Sequence, residues 1–525
     1  MKSTSPRNAR SLSAPRRDLA AWLPVALALA LVFTGAAGSV AAPATASGND
    51  WPLWGGDTSR NMVSPETGLP TEFAMSRKKK KNVKWSTALG SQTFGNPVVA
   101  GGKVLVGTNN GNPRDPEIEG DRGVLMCFDA KDGSFLWQAA HEKLETGDSE
   151  DWSEIGICST PHVVGDRVYY VNNRCELIAL DLEGFRDGEN DGPVQDESTK
   201  GETNADVVWT LDMRKLGVSP FQASASSPLV VGDLVFTVTG QGVDDREHVV
   251  KNPEAPSFLA ANRHTGKIVW QDASPGASLI EGQWGSPAYG KVDGVGQVAF
   301  PGGDGWMYCF EPKTGELLWK FDCKVHERGE DGTPKTANYI VGTPVFYGHR
   351  LIIANGQNPE AGGGPGCLRV IDARKRGDIS KTAELWRIDG RDFGVSIGTV
   401  AVHEGLVYAT ELDGFVSCVD LETGKRVWRH DMLAYVWGSP YVADGKVYVR
   451  NEDGDCLVLK TGRELEELAL NTLPGLIHGT VVASDGVLFI AGSDMLFALA
   501  EGAGAEAAAD SPEAKKATGS AGSGQ

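Results

Sequence analysis

Thr423-Gly424-Lys425-Arg426-Val427-Trp428, followed by Gly438-Ser439-Pro440-Tyr441-Val442-Ala443-Asp444-Gly445-Lys446-Val447-Tyr448-Val449, is the stretch on which the fold turns. A Thr-Gly turn opens a strand that closes on Trp. A Gly-Ser-Pro start opens a short apolar strand, and an Asp-Gly turn leads into a β-branched and aromatic strand. Outward from here the start recurs. It is found as Gly95-Asn96-Pro97, Ser159-Thr160-Pro161, Ser226-Ser227-Pro228, Gly285-Ser286-Pro287, Gly342-Thr343-Pro344, Gly398-Thr399-Val400 and Gly479-Thr480-Val481. A third strand of the type Leu177-Ile178-Ala179-Leu180-Asp181 lies between each second strand and the closing one. The closing tryptophans are Trp137, Trp209, Trp270, Trp319, Trp386 and Trp428; the seventh unit has Leu465-Glu466-Glu467-Leu468 instead.

Units of four short strands, repeating at about 40 residues, predict an all-β fold of antiparallel blades. Each unit is apolar on both faces and cannot bury them alone, so radial stacking into a propeller is preferred over a sandwich. The eighth unit runs out after Leu496-Phe497-Ala498-Leu499, while Val83-Lys84-Trp85 is a Trp strand without a unit. Both orphans are placed if the strand around Trp85 pairs with the C-terminal blade. The expectation is an eight-bladed β-propeller over 83–500, with a lead segment at 47–82 and a low-complexity, disordered tail at 501–525.

Arg7, Arg10, Arg16 and Arg17 precede an apolar run from Leu19 to Phe33, and A-x-A-type sites follow at Val40-Ala41-Ala42 and Ala44-Thr45-Ala46. This predicts a signal peptide at 1–46 and an exported protein of the periplasm, envelope or exterior. The run is short for a spanning helix and is broken by Pro24, so the chain is not expected to span a membrane. The whole chain carries −19; without 1–46 the remainder is −23, from 45 basic against 68 acidic residues. A surface so acidic repels phosphate backbones and argues against a nucleic-acid partner. The short basic run Arg77–Lys81 reads as a solvated connector.

Cys127, Cys309 and Cys418 share one repeat position and read as buried strand residues. The chain has no C-x-x-C and no adjacent cysteine pair, and a disulfide such as Cys158 with Cys175 is left open. No histidine has metal spacing, and single ones such as His162 and His349 read as satisfied surface residues.

The Thr-Gly-x-x-x-Trp units with Gly-Ser-Pro starts and Ala-Leu-Asp strands resemble the repeat of pyrroloquinoline-quinone (PQQ) dehydrogenases. They are also similar to the lipoprotein propeller of the outer-membrane β-barrel assembly machinery. Trp51-Pro52-Leu53-Trp54-Gly55-Gly56, Ser64-Pro65-Glu66-Thr67-Gly68-Leu69-Pro70 and Asp187-Gly188-Glu189-Asn190-Asp191-Gly192-Pro193 resemble exported PQQ-like propellers of planctomycete type. For the enzymes, the resemblance implies a quinone in the central funnel with an adjacent Cys-Cys disulfide, a Trp floor, Ca²⁺ and an Asp base. The adjacent cysteines are absent here, and no Asp base is placed by motif.

Loops on the rigid scaffold are the expected working surface. Those from each outer strand to the next inner strand carry Phe94, Trp152, Phe221, Trp284, Tyr339, Phe393, Tyr435, Trp437 and His478. Interspersed polar groups make this an aromatic-rimmed channel face for a protein, glycan or small ligand. Within the long insertion Glu183–Ala205, Asp187, Glu189, Asn190 and Asp191 form a Ca²⁺ candidate or a solvated acidic turn. The expected function is non-catalytic binding of an envelope or extracellular protein or glycan, as a monomer or within a complex, with no required cofactor. The alternative is a PQQ-binding oxidoreductase acting on alcohols or sugars.

Overall fold

The computed structural model describes residues 49–503 except 77–79, 198, 245–248, 326–337, 359–363 and 477. The expected signal peptide, part of the Arg77–Lys81 run and nearly all of the tail lie outside the described residues. Eight small antiparallel sheets form a ring, an eight-bladed β-propeller. Blade 6 is representative: Ala401–His403 is innermost, then come Leu406–Thr410, Phe415–Asp420 and the outermost Arg426–Asp431. Blade 8 consists of Val482–Ser484, Val487–Ala491 and Met495–Ala500, and its fourth strand is Val83–Ala88 from the other end of the chain. The described helical pieces are single 3₁₀ turns, and none is long and apolar enough to cross a membrane.

The register explains the Thr-Gly-x-x-x-Trp repeat. In every blade the pairing of third with fourth strand shifts by one residue. In blade 6 Cys418 faces Trp428 but Val419 faces Arg426, leaving Val427 as the bulge. The same shift occurs at Leu136 in blade 1 and Val269 in blade 3. A bulge adds local twist and re-aims the residue beside it. Here it precedes the indole, which reaches the next blade. The Nε1–H groups of Trp85, Trp137, Trp209, Trp270, Trp386 and Trp428 donate to the carbonyls of Ala130, Leu182, Arg263, Pro312, Leu421 and Gly462, at 2.7–3.2 Å. All six acceptors belong to the following blade, just after its third strand.

The repeat glycine completes this contact. Gly266 has φ +66°, and a Cβ there would stand 2.7 Å from the Trp209 ring. Gly133, Gly315 and Gly424 meet Trp85, Trp270 and Trp386 in the same way. The Gly of one unit and the Trp of the preceding unit are therefore one inter-blade lock, in which each buried indole is worth about 2–3 kcal/mol.

Two junctions depart from the pattern. Trp319 donates instead to Gln297 Oε1 within blade 4, and Gly377–Asp378 adds to that blade's edge in parallel beside Trp319 and Lys320. Blade 7 has Ala469 at the tryptophan register, opposite Val458. There the lead segment covers the edge: the Phe73 amide donates to Asn471 Oδ1, and Asn471 Nδ2 donates to Thr71 O.

At the axis the Gly-Ser/Thr-Pro starts form a girdle. Thr399 N–H donates to Ser439 Oγ, Ser439 N–H to Thr480 Oγ1, and Thr480 N–H to Asn96 Oδ1, at 2.7–2.8 Å. Thr160 to Ser227 and Ser227 to Ser286 repeat the link across the ring. Glycine precedes these residues where blades crowd: a Cβ on Gly342 would stand 2.8 Å from Gly398 O.

Residues 51–66 are more than a lead. They run once around the axis and touch the innermost strand or its ends in every blade. Trp51 exchanges both backbone bonds with Val99 of blade 1, and Pro52 O accepts from Val163 of blade 2. Thr58 O and Ser59 O accept from Tyr289 and Phe346 of blades 4 and 5. Asn61 brackets Val402 of blade 6, Met62 and Ser64 bracket Val442 of blade 7, and the Glu66 carboxylate takes the amides of Asp485 and Gly486 in blade 8. Arg60, fully buried, donates to Ser227 O and Pro228 O of blade 3, Pro287 O of blade 4 and Trp54 O. Four carbonyls around one guanidinium hold the charge that burial opposes, although its pKa still falls to about 9, chiefly through burial and against the pull of Asp57.

His162 corrects the surface reading. It is buried on the innermost strand of blade 2, and its Nδ1 accepts the Val230 amide of blade 3 at 2.9 Å. Cys127, Cys309 and Cys418 are buried as expected, and all eight cysteines, Cys158 and Cys175 included, are free thiols.

Candidate functional site

The lead segment enters from the face that carries the turns between first and second strands, as the bonds from Glu66 to Asp485-Gly486 show. The opposite face carries the loops between blades. On it a cavity of about 180 Å³ opens at the axis, lined by Trp54, Phe94, Asn96, Ile397, Trp437, Gly438, Ser439, His478 and Thr480. Three sequence candidates meet here. The His478 ring stacks on Phe94 with centroids 4.6 Å apart and planes at 16°, and stands edge-on to Trp437 at 5.2 Å and 82°. Trp437 is fixed by its Nε1–H donating to Glu452 Oε2 at 3.0 Å. Burial lowers the His478 pKa, and Glu452 opposes that shift. His478 Nδ1 is a buried atom without a hydrogen-bond partner among the described residues.

The fourth aromatic, Trp54, was not singled out from the sequence. It comes from the encircling segment, and its Nε1–H donates to Thr399 Oγ1 of the girdle at 2.9 Å. The signal for it was the apolar density of Trp51-Pro52-Leu53-Trp54, unusual in a segment read as a lead.

The other candidates part company with the mouth. Phe221, Trp284 and Tyr339 form a packed arc, with neighbouring centroids 6.0 and 6.3 Å apart. Within it Trp284 Nε1–H donates to Phe221 O and the Tyr339 hydroxyl to Glu281. Phe221 and Tyr339 are buried, so the arc is chiefly packing. Phe393 is wholly buried in the core of blades 5 and 6 and is closed to a ligand, because the outer strand of blade 5 runs on through it, Glu384–Gly394. Trp152 is half-buried beside blade 3, its amide on Gln222 O, and Tyr435 is 46% exposed on the rim.

The acidic insertion is folded onto blade 2. Asp191 pairs with Arg167 at 2.7 Å and Asn190 Nδ2 donates to Glu197 Oε2. Asp187 Oδ1 accepts the Glu189 amide. Arg167 also holds Asp181, whose pKa burial raises to about 7. No group of three or more metal-ligating side chains gathers among the described residues.

Comparison with known proteins adds four findings. A family model described as outer membrane protein assembly factor BamB matches residues 67–242, 200–376 and 366–465. A 1-butanol dehydrogenase (cytochrome c) of Thauera butanivorans is 29% identical over 148 residues, which span 26% of this chain and only 18% of the dehydrogenase. BamB from Moraxella catarrhalis superposes with a TM-score of 0.50 at 16% identity, covering 80% of this chain and 98% of that structure. A quinohemoprotein alcohol dehydrogenase from Comamonas testosteroni gives 0.48 at 14% identity, over 88% and 82% of the two chains.

Proposed function

This chain belongs to the PQQ-like repeat propeller family described by the BamB model, and on that premise we propose that it is a non-catalytic exported propeller that binds a protein partner through the channel mouth. The observation that carries the reading is the build of the mouth. Residues 51–66 stop the channel from one side, and what remains on the other is shallow and aromatic. Its lining includes no carboxylate and no Lys or Arg among the described residues.

A PQQ site asks for different parts. The quinone bears three carboxylates and needs cationic donors, and its Ca²⁺ needs several oxygen ligands with a carboxylate among them. The cavity of about 180 Å³ also falls below the roughly 300 Å³ at which ligand pockets begin. Arg60, the buried cation nearest in the chain to Trp54, spends its donors on backbone carbonyls. The residues present do not fit the group.

Assembly factors of the outer membrane work on protein partners, which agrees with a binding face on a rigid scaffold. The reading is tested by mixing the purified chain with PQQ, Ca²⁺ and alcohols or sugars, and by titrating short peptides while following tryptophan fluorescence. Peptide binding that Phe94→Ala and Trp437→Ala abolish, with no dye reduction, is expected. Dye reduction that depends on both PQQ and Ca²⁺ would overturn the proposal in favour of an oxidoreductase.

A further inference from the structure

The sign of the partner can be read from what surrounds the aromatic cavity. Blades 6, 7 and 8 carry short loops on the mouth face, and backbone bonds interleave them. Val436 N–H donates to Leu412 O, Glu452 N–H to Tyr435 O, and Ser493 N–H to Leu476 O. Each inter-blade loop is thus bracketed by the turns between second and third strands of neighbouring blades.

Those turns present carboxylates at matching positions, Asp413, Asp453 and Asp494, all exposed. None has an ion-pair partner among the described residues, and Glu452 stands beside them holding Trp437. The loops between present apolar side chains to solvent: Leu433 at 88% exposure, Leu476 at 56% and Tyr435 at 46%. Leu433 is held outward by a backbone at φ +61°, unusual for a branched residue, with its amide on Asp431 Oδ1. A strained residue that displays a leucine to water, on loops otherwise tied by hydrogen bonds, marks an interaction surface.

We propose that the mouth seats a Lys or Arg side chain of a basic, amphipathic polypeptide segment between Trp54, Phe94 and Trp437, while Leu433, Tyr435 and Leu476 take its apolar side chains. The proposal rests on the reading of the mouth as a binding site and names its ligand class. Aromatic faces attract a cation through their quadrupole, and the attraction grows where the cation is desolvated. No cation among the described lining residues competes for those faces. Glu452, bound to the Trp437 Nε1–H, places a carboxylate against the cavity wall. The carboxylates around the rim steer a basic chain and repel an acidic one. An anionic quinone and a basic peptide therefore make opposite demands, and the mouth meets the second.

The test uses the full chain and three labelled short peptides of one apolar pattern, carrying Lys, Gln or Glu at the polar positions. Fluorescence anisotropy should show binding of the Lys peptide alone, weakening with added salt. Phe94→Leu and Trp437→Leu should each weaken it roughly tenfold, and Glu452→Gln roughly threefold, with unfolding temperatures recorded for every variant. Leu433→Ser, on the exposed rim, should weaken it as well. Equal binding of the Gln or Glu peptide, lost in the same variants, would overturn the cationic class while leaving the mouth as a binding site. Binding that survives every variant would remove the mouth from the reading altogether, and failure of the Lys peptide to bind would overturn the inference.

Discussion

The propeller is held together twice, and its two rings are built on different principles. At the circumference six indole-to-carbonyl locks, four of them completed by the repeat glycine, repeat one contact between neighbours, each local and each centred on the repeat tryptophan. At the axis one aperiodic segment, 51–66, binds all eight blades largely through backbone groups. The outer ring spreads stability over interchangeable contacts, whereas the inner ring concentrates it in a few irreplaceable ones. Damage to the two should differ in kind.

The sharpest break is Arg60→Met, which keeps volume but strands the carbonyls of Trp54, Ser227, Pro228 and Pro287 in the interior. A loss of about 5 kcal/mol is expected from the midpoint of urea unfolding. Trp137→Ala, in the outer ring, should cost about 4 kcal/mol and leave the other locks intact, read the same way. Gly266→Ala tests the other half of a lock: its positive φ and the Trp209 ring 2.7 Å from a new Cβ should together cost about 2 kcal/mol.

Acid should act on the inner ring. Burial holds His162 well below its ordinary value, and its Nδ1 must stay unprotonated to accept the Val230 amide. The unfolded chain takes up that proton near pH 6.5, so stability is full above this pH and falls below it, by about 2 kcal/mol at pH 5. Urea midpoints at pH 7.5 and 5 should show this, and His162→Gln should reduce the slope, which His141, lowered by burial to about 4, partly retains. The smallest effect is expected from Ala469→Trp. It restores the tryptophan register of blade 7, but there the lead segment already covers the edge through Phe73 and Asn471. Thermal unfolding should move by no more than about 0.5 kcal/mol.

The same division governs what was legible in the sequence. Trp428 and Gly424 recur with their unit, so blade number, strand count and the place of Trp85 could be read. That Gly424 belongs with Trp386 rather than with its own Trp428 could not, since only the ring brings the two together. The encircling segment was illegible because half of its bonds to the blades join main chain to main chain and the rest use no recurring residue type. At the site, Phe94, Trp437 and His478 were visible from their place just before a start. Trp54 was hidden because it arrives from far along the chain. Phe393 misled because strand length, not loop position, decides where its side chain goes.

Apart from the side chains of Trp54, which reaches blade 6, and Arg60, which reaches back to blades 3 and 4, the contacts along 51–66 follow the order of the blades, from Val99 in the first to Gly486 in the last. A segment laid out this way acts as a tally. One more blade, gained by duplication as repeat proteins commonly do, would find no matching residue on it, and one fewer would leave Glu66 or Trp51 without an amide to meet. Descendants of this chain can vary their loops freely, but their blade number is pinned by sixteen residues that lie outside the repeat.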